Sequence, residues 1–279
     1  MRKRLRYPLR SIFAAVVVVV VIFPFLWIVV SSFKNPEHFL TLDLGEALPK
    51  SIDFTSYRLA LRRADLLRWM LTSLGVASTT MFLSLAISAP MAFALARLRF
   101  RGRSTVGGLL ILHYAVPSVT IAIPLFVLLA ALGQVNSLPA LILVHSTLTI
   151  PFCTWVLRDF YNAIPIEIEE AGYTDGAGLL QILRHIVLPL SIPGLLAAGA
   201  YAFILSWNDF LFAFILINSQ DNFTAPVGIH AFFTGRNIEQ SLWAQLMAAS
   251  TLVSLPSAAL FALFQRHLVA GFLSGSVRG

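Results

Sequence analysis

The chain has 279 residues, of which 58% are hydrophobic and only 12% are charged, and its mean hydropathy is +0.82. Soluble domains usually carry about 25% charged residues, so this composition excludes an ordinary soluble protein and places most of the chain in lipid. The formal net charge is +7. Its basic residues stand beside apolar segments instead of gathering on one face, which argues against a nucleic-acid partner. The single cysteine, Cys153, excludes an intramolecular disulfide.

Six segments are apolar and long enough to cross a membrane, which takes about 20 residues: 11–33, 69–96, 106–131, 139–157, 190–217 and 244–264. The first follows a basic start but has no small-residue cleavage site, so we interpret it as a retained helix. We therefore predict an all-α polytopic bundle of six spans, with residues 1–279 forming a single transmembrane domain.

The distribution of charge predicts the orientation of the spans. Six spans put both ends of the chain on one side, and 13 of the 20 Lys and Arg residues then lie on that side. Because cytoplasmic segments are enriched in Lys and Arg, we predict cytoplasmic N and C termini and a cytoplasmic 158–189 loop. Six of the other seven basic residues lie in 34–68, where 57–63 has the mixed character of a helix on the membrane surface.

The segment 164–189 has the most informative local pattern, and it predicts two short helices joined by a turn. Pro165 suits a first helical position, and the acidic residues after it favour the positive end of the helix dipole. Gly172 either interrupts this helix or allows another chain to approach closely. Asp175 is the predicted N-cap of the second helix, which Pro189 ends.

The residues alone leave two interpretations of this segment open: a segment that another chain contacts, or an amphipathic helix under the membrane. Apolar residues recur at helical spacing in its second half, at Leu179, Ile182, Leu183 and Ile186. An amphipathic helix lying under the membrane would show the same pattern.

The amino-acid sequence of the segment, however, resembles the EAA loop of binding-protein-dependent ABC transporter permeases. Glu170-Ala171-Gly172 stands in the place of Glu-Ala-Ala, and Asp175-Gly176-Ala177 and Ile186-Val187-Leu188-Pro189 follow. The departure is Gly172 where a second alanine is usual, a small-for-small change expected to loosen the helix.

The resemblance extends over nearly the whole chain, to the six-span permeases of maltose type that import carbohydrates. Ser206-Trp207-Asn208-Asp209-Phe210 is similar to a Trp-Asn-acid-Phe sequence of that family, and the ending Gly275–Gly279 to its Gly-Ala-Val-Lys-Gly terminus. The resemblance implies that this ending, with Arg278, docks between ATPase subunits. It also implies a multi-pass protein of a bacterial or archaeal inner membrane.

The resemblance also implies a mechanism without catalysis in this chain, which has no Walker sequence, HExxH or GxSxG. ATP and Mg²⁺ would be used by a separate ATPase, and no cofactor or metal would be bound here. The expected partners are a second permease subunit, two ATP-binding subunits and an extracytoplasmic sugar-binding protein. Glu170 would make a polar contact with the ATPase, and the full set of expected coupling residues is Glu169, Glu170, Ala171, Gly172, Asp175, Gly176, Ala177 and Pro189.

Two further groups of residues are candidates for contact with substrate or binding protein. Asp209 is the only acidic residue deep in the predicted spans, and ionisable residues there are functional candidates; the candidate path is Trp207, Asn208 and Asp209. His113 and His145 are the other titratable candidates, and all these groups could instead serve bundle packing. In the outside segment 218–243, the candidate contacts with the binding protein are Phe223, Phe232 and Phe233, which could equally be interfacial anchors.

Three other functional classes are weighed against this interpretation. An ion-coupled secondary transporter would favour internal repeats around a charged midplane site, and no clear repeat is present. An intramembrane enzyme lacks a nucleophile–base pair or a set of metal ligands. A structural scaffold leaves the EAA-like segment unexplained. Within the importer class, a di- or oligosaccharide is the first candidate substrate, and a polyol or glycerol phosphate is the alternative.

Overall fold

The computed structural model describes residues 6–35, 39, 48–49, 51–63, 65–234 and 240–276. Every regular element in these ranges is helical, which confirms the all-α fold class. The chain groups into two compact units, residues up to Leu67 with Gly228–Leu255, and Arg68–Val227 with the residues from Pro256 onward. The single domain over 1–279 stays a prediction.

Both chain segments of the first unit contain helices. Helix α1, Arg6–Ser31, carries an apolar stretch whose side chains are exposed, so its surface is suited to lipid or to another chain. Helix α2, Thr55–Arg63, is the expected short helix, and Asp53 accepts a hydrogen bond from the Thr55 N–H (2.8 Å) at its start. Hydrogen bonds from Thr55 hold the pKa of Asp53 below its usual value.

The second unit holds most of the bundle. Its helices are listed in chain order: α3 Leu66–Arg97, α4 Arg103–Leu112, α5 Ser118–Ala131, α6 Leu138–Ala163, α7 Ile166–Thr174, α8 Leu179–Ile182, α9 Leu188–Leu190, α10 Ile192–Asn208 and α11 Leu211–Leu216. Helix α12, Ala225–Thr234, and helix α13, Gln240–Ser276, pass from one unit into the other. Helix α13 continues past the predicted sixth span, and the rest of the predicted docking tail, residues 277–279 with Arg278, lies outside the described residues.

Small side chains allow α10 to pack closely on α6 in the core of the second unit. Ala198 and Ala202 are fully buried against Cys153 and Leu157 of α6, and the Cys153 thiol donates to the Ala198 carbonyl (3.4 Å). Close approach of this kind is typical of helices in membranes, where packing rather than the hydrophobic effect drives association. A second apolar cluster joins α3, α5, α6 and α11 around Phe212.

Two of the predicted spans are broken. In 106–131, α4 ends at Leu112, a 3₁₀ turn covers His113–Ala115, and α5 begins only after Pro117, which has no N–H to donate. In 190–217, α10 ends at Asn208 and α11 begins at Leu211, with two residues between them. Four described helices are long and apolar enough to cross a membrane, and five if the bent pair Leu179–Leu190 and Ile192–Asn208 is one span. The count of six spans and their orientation stay predictions.

Candidate functional site

The segment after α6 is a helix–turn–helix, as the sequence predicts. Helix α7 is followed by a four-residue turn, and the second arm runs from Leu179 to Leu190 through a π-helical turn at Leu183–Val187. Pro189 lies inside this arm, so the predicted stop is displaced by one residue, and the chain bends by 81° into α10. We call residues 164–190 the coupling segment.

A Schellman motif ends α7 and sets the direction of the turn. Gly176 has φ = +84°, and its N–H donates to the Tyr173 carbonyl (3.0 Å), while the Ala177 N–H donates to the Gly172 carbonyl (3.0 Å). Only glycine adopts this backbone conformation without strain. The sequence pattern contains this glycine, and the structure gives the reason for it.

The prediction that Asp175 caps the second helix is wrong. Asp175 is the C-cap of α7, and Gly178 is the N-cap of α8. The Schellman turn extends to Ala177 and therefore moves the start of the second arm beyond the reach of Asp175. The Gln181 side chain accepts a hydrogen bond from the Gly178 N–H (2.7 Å) and satisfies one of the donors at this helix start.

Gly172 allows the two arms of the segment to pack closely against each other. Helix α7 is continuous through Gly172, so this residue does not interrupt the helix, and the expected loosening stays a prediction. A Cβ at this position would lie 2.5 Å from Cδ1 of Ile182 and 2.8 Å from Cδ1 of Ile186. The close approach expected for another chain is thus occupied by the second arm of the same segment.

A buried ion pair fixes the base of the coupling segment, and the sequence analysis missed it. The Arg97 Nε donates to Glu169 Oε1 at 2.8 Å, and Glu169 is 2% exposed. The same guanidinium donates through Nη2 to the carbonyls of Tyr161 (2.6 Å) and Ile164 (3.0 Å) at the end of α6. Arg97 therefore joins α3, α6 and α7, and Glu169 belongs to the base of the segment, not to its outer surface.

The outer surface of the segment is acidic and apolar. Glu170, Ala171, Asp175, Gly176 and Pro189 are exposed, and Ala177 is half-buried. Large apolar side chains are exposed beside them, namely Ile166, Ile168, Tyr173, Leu179 and Leu180. An exposed apolar patch with a polar rim is typical of a protein–protein contact site.

A cavity of about 660 Å³ lies where the two broken spans meet. Its lining residues are His113, Val116, Pro117, Ser118, Ile121, Leu148, Tyr201, Ile204, Leu205, Asn208, Asp209 and Phe212. Two of the three predicted path residues, Asn208 and Asp209, are among them, and so is His113. Trp207 is 2% exposed and stacks on Phe203 with ring centroids 5.7 Å apart. It is therefore a buried packing residue next to the cavity and does not line it.

A buried polar cluster contacts Asp209, and its other members do not line the cavity. Asp209 Oδ2 accepts from the Ala213 N–H (3.0 Å) and lies 3.1 Å from Nε2 of the fully buried His145. The His145–Asp209 approach does not have the geometry of a hydrogen bond. On the other side of the ring, His145 Nδ1 is 2.7 Å from Ser206 Oγ, which donates to Thr80.

The predicted contacts with a binding protein lie in different surroundings. The Phe223 ring packs near that of Trp69, with centroids 6.5 Å apart. Phe232 and Phe233 form an edge-to-face pair with centroids 4.9 Å apart, and both are half-buried. Their roles stay predictions. Among the described residues, no group of three His, Cys, Asp or Glu side chains could hold a metal ion.

Comparison with known proteins places the chain in a family. Residues 84–273 match the family "Binding-protein-dependent transport system inner membrane component". The inner membrane ABC transporter permease protein YcjP of Escherichia coli K12 is 33% identical over 273 residues, covering 95% of this chain and 94% of the relative. The trehalose transport system permease protein SugB of Mycobacterium tuberculosis is 34% identical, covering 92% of each chain.

A further relative and a solved structure also match this chain. The trehalose/maltose transport system permease protein MalG of Thermococcus litoralis is 30% identical over 266 residues, covering 95% of each chain. The fold also matches a chain in the crystal structure of a bacterial ABC transporter involved in the import of the acidic polysaccharide alginate. That match has a TM-score of 0.83 and 21% identity and covers 95% of this chain and 97% of the other.

A membrane component of a binding-protein-dependent importer works with an ATP-hydrolysing partner and a substrate-binding protein, and the catalysis belongs to the ATPase. The exposed helix–turn–helix fits such a division of labour. The chain thus belongs to the family of binding-protein-dependent transport system inner membrane components, as a non-catalytic ABC importer permease of the inner membrane.

Proposed function

We propose that this chain forms half of the translocation path for a di- or oligosaccharide, and that its coupling segment receives the motion of an ATPase. The observation that carries the proposal is the way in which the segment is attached to the bundle. Its outer surface is exposed while its base is fixed to α3 and α6 by the buried Arg97–Glu169 pair. A force on the outer surface is therefore transmitted to the spans as a rigid-body movement.

The outer surface supplies the contacts with the ATPase in this proposal. Glu170 makes the polar contact, and Ala171, Asp175, Gly176, Ala177 and Pro189 form the rest of the docking surface. Glu169 and Gly172 act by holding the segment together, because both face inward. The exposed side chains of Leu179 and Leu180 add apolar area that an ATPase groove would cover.

The assembly in this proposal contains a second permease, two ATP-binding subunits and an extracytoplasmic sugar-binding protein. ATP and Mg²⁺ are bound by the ATP-binding subunits, and this chain binds no cofactor. Phe223, Phe232 and Phe233 contact the binding protein. The other half of the path comes from the second permease.

The chemistry of the cavity favours a neutral sugar. Its lining contains no Lys or Arg and includes the Asp209 carboxylate, which would repel a phosphate group. Asn208 and Asp209 offer hydrogen bonds to hydroxyl groups, and Tyr201 and Phe212 offer apolar ring surface. Relatives whose names include trehalose, maltose and diacetylchitobiose support the same class. A polyol remains the alternative, and glycerol phosphate fits the lining less well.

The experiment reconstitutes the chain with its partner subunits and binding protein in proteoliposomes and measures ATP-dependent accumulation of labelled trehalose, maltose, glycerol and glycerol phosphate. Accumulation of a sugar supports the proposal, and accumulation of glycerol phosphate alone contradicts it. Glu170→Lys should lower uptake at least tenfold, because reversing a charge at a desolvated contact costs several kcal/mol. Asp65→Lys, with the same charge change at an exposed residue outside the coupling segment, is the control and should retain uptake.

A further inference from the structure

A second cavity, of about 720 Å³, lies apart from the substrate cavity, between the end of α3, the start of α4 and α6. Its lining includes Arg103, Ser104, Thr105, Ile111, Trp155 and Arg158. None of them takes part in the coupling segment or in the polar cluster around His145. We call it the arginine cavity.

The arginine cavity has positive charge and no carboxylate in its lining, although Asp159, beside Arg158 in the chain, attracts Arg158 from outside the cavity. Arg103 and Arg158 line it, and no Asp or Glu does. Arg68 and Arg97 each form a salt bridge with a carboxylate, whereas Arg103 and Arg158 form none with the described residues. Partly buried cations in a membrane bundle are costly unless they are paired, so the cavity is suited to an anion.

The cavity also has buried hydrogen-bond donors without partners. The Trp155 Nε1 and the Arg158 Nε are buried without a hydrogen-bond partner among the described residues. The Arg158 guanidinium lies over the Trp155 ring, 4.6 Å from its centroid, and this contact holds it in place. Ser104 and Thr105 add two hydroxyl groups. A phosphate group supplies the acceptor oxygens that such a donor set needs, and arginine binds it with two parallel hydrogen bonds.

The lining changes from polar to apolar along α4. Arg103, Ser104 and Thr105 are followed about two turns later by Ile111, and Leu109 and Leu112 on the same helix are 59% and 58% exposed. A dissolved anion would contact only the polar end. A phospholipid has a phosphate group followed by an acyl chain, and it would contact both.

We propose that the arginine cavity binds the phosphate of an anionic phospholipid, with the acyl chain along the exposed face of α4. Basic pockets between membrane helices bind such headgroups. The shared chemistry is a phosphate group, and inorganic phosphate is the other source to be distinguished. The site is close to the base of the coupling segment, because Arg97, at the end of α3, donates to the Ile164 carbonyl.

The test measures lipids retained by the full-length chain in native mass spectrometry, with phosphatidylglycerol or phosphatidylcholine added at equal concentration. The wild-type chain should retain phosphatidylglycerol in preference. Arg103→Gln combined with Arg158→Gln should lower its apparent affinity roughly tenfold or more, since each arginine near anionic lipid contributes about fivefold. Arg99→Gln combined with Arg101→Gln is the matched control. It removes the same charge from exposed arginines that do not line the cavity, and it should leave retention unchanged.

Two further arms separate the outcomes. Arg103→Gln alone keeps the Arg158–Trp155 contact and should lower affinity severalfold in a chain that is still folded. If 20 mM inorganic phosphate displaces phosphatidylglycerol from the wild-type chain as efficiently as added lipid does, the source is the dissolved anion and the lipid proposal is wrong. Equal retention of both lipids, or equal loss in the control variant, would also overturn it. Because no sugar or ATPase is involved, failure here is independent of the proposed transport function.

Discussion

The coupling segment and the substrate cavity are built in opposite ways. In the coupling segment, the turn is made by neighbours in sequence, from the Gly172 carbonyl to the Ala177 N–H. In the polar cluster beside the cavity, His145 contacts Ser206, which is 61 residues away in the chain, and Ser206 contacts Thr80, which is 126 residues away. A docking element of local contacts keeps its shape while the bundle moves, whereas a cluster of distant contacts changes whenever the spans move.

The largest expected effect is at the Arg97–Glu169 ion pair, which attaches the coupling segment to α3 and α6. Arg97→Met leaves the Glu169 carboxylate buried and unpaired, which should lower stability by about 3–5 kcal/mol. The measurement is the fraction of full-length chain that stays monodisperse in detergent after heating, followed by size-exclusion chromatography.

The double variant Arg97→Met, Glu169→Met sharpens this comparison. Replacing both partners with apolar groups is often nearly neutral, so it should recover most of the lost stability. Its ATP-dependent uptake should still be reduced, because the guanidinium no longer joins α6 to α7. Full uptake in the double variant would show that the Arg97–Glu169 pair contributes to stability alone.

A smaller effect is expected in the polar cluster beside the cavity. His145→Ala removes the contacts with Ser206 and Asp209 and should destabilise the bundle by about 1–3 kcal/mol. The KM for uptake should rise, because Asp209 loses one of the groups that hold its carboxylate. Thr147→Ala, on the same helix, loses only a bond to the Val144 carbonyl and is the control; an equal rise in KM there would argue against a specific role for His145.

The smallest effects are expected at the glycines of the coupling segment. Gly176→Ala places a Cβ on a left-handed residue and should cost about 1–2 kcal/mol. Gly172→Ala should cost less, because the atoms it meets are the terminal methyl groups of Ile182 and Ile186. Thermal stability of both variants checks the order, and a larger loss for Gly172→Ala would mean that the two arms cannot separate slightly.

These regions also differ in how far the sequence predicts them. The helix–turn–helix follows from local signals, namely Pro165, Gly176 and apolar residues at helical spacing, and all of these act within a few residues. The assignment of Asp175 failed because two capping arrangements compete at the same turn, and the Schellman hydrogen bonds decide between them.

The long-range contacts could not be predicted in the same way. Arg97 and Glu169 are 72 residues apart, and nothing near either residue identifies the other as its partner. Asp209 was recognisable as an unusual acidic residue in an apolar segment, but its contact with His145 depends on how α10 packs on α6. The break in 106–131 has a partial signal in Pro117, whereas no proline or glycine in 206–211 marks the break after Asn208.

The central claim, that the outer surface of the coupling segment contacts the ATPase, is tested most directly by crosslinking. Cys153 is the only cysteine, so Cys153→Ser gives a background for single substitutions in the assembled transporter. With a short thiol-to-amine crosslinker, Glu170→Cys should form a covalent adduct with the ATP-binding subunit. Gln220→Cys, exposed at the opposite end of α6 near Asn136, should form none. Absence of the adduct at position 170, in a complex that still hydrolyses ATP during uptake, would contradict the account.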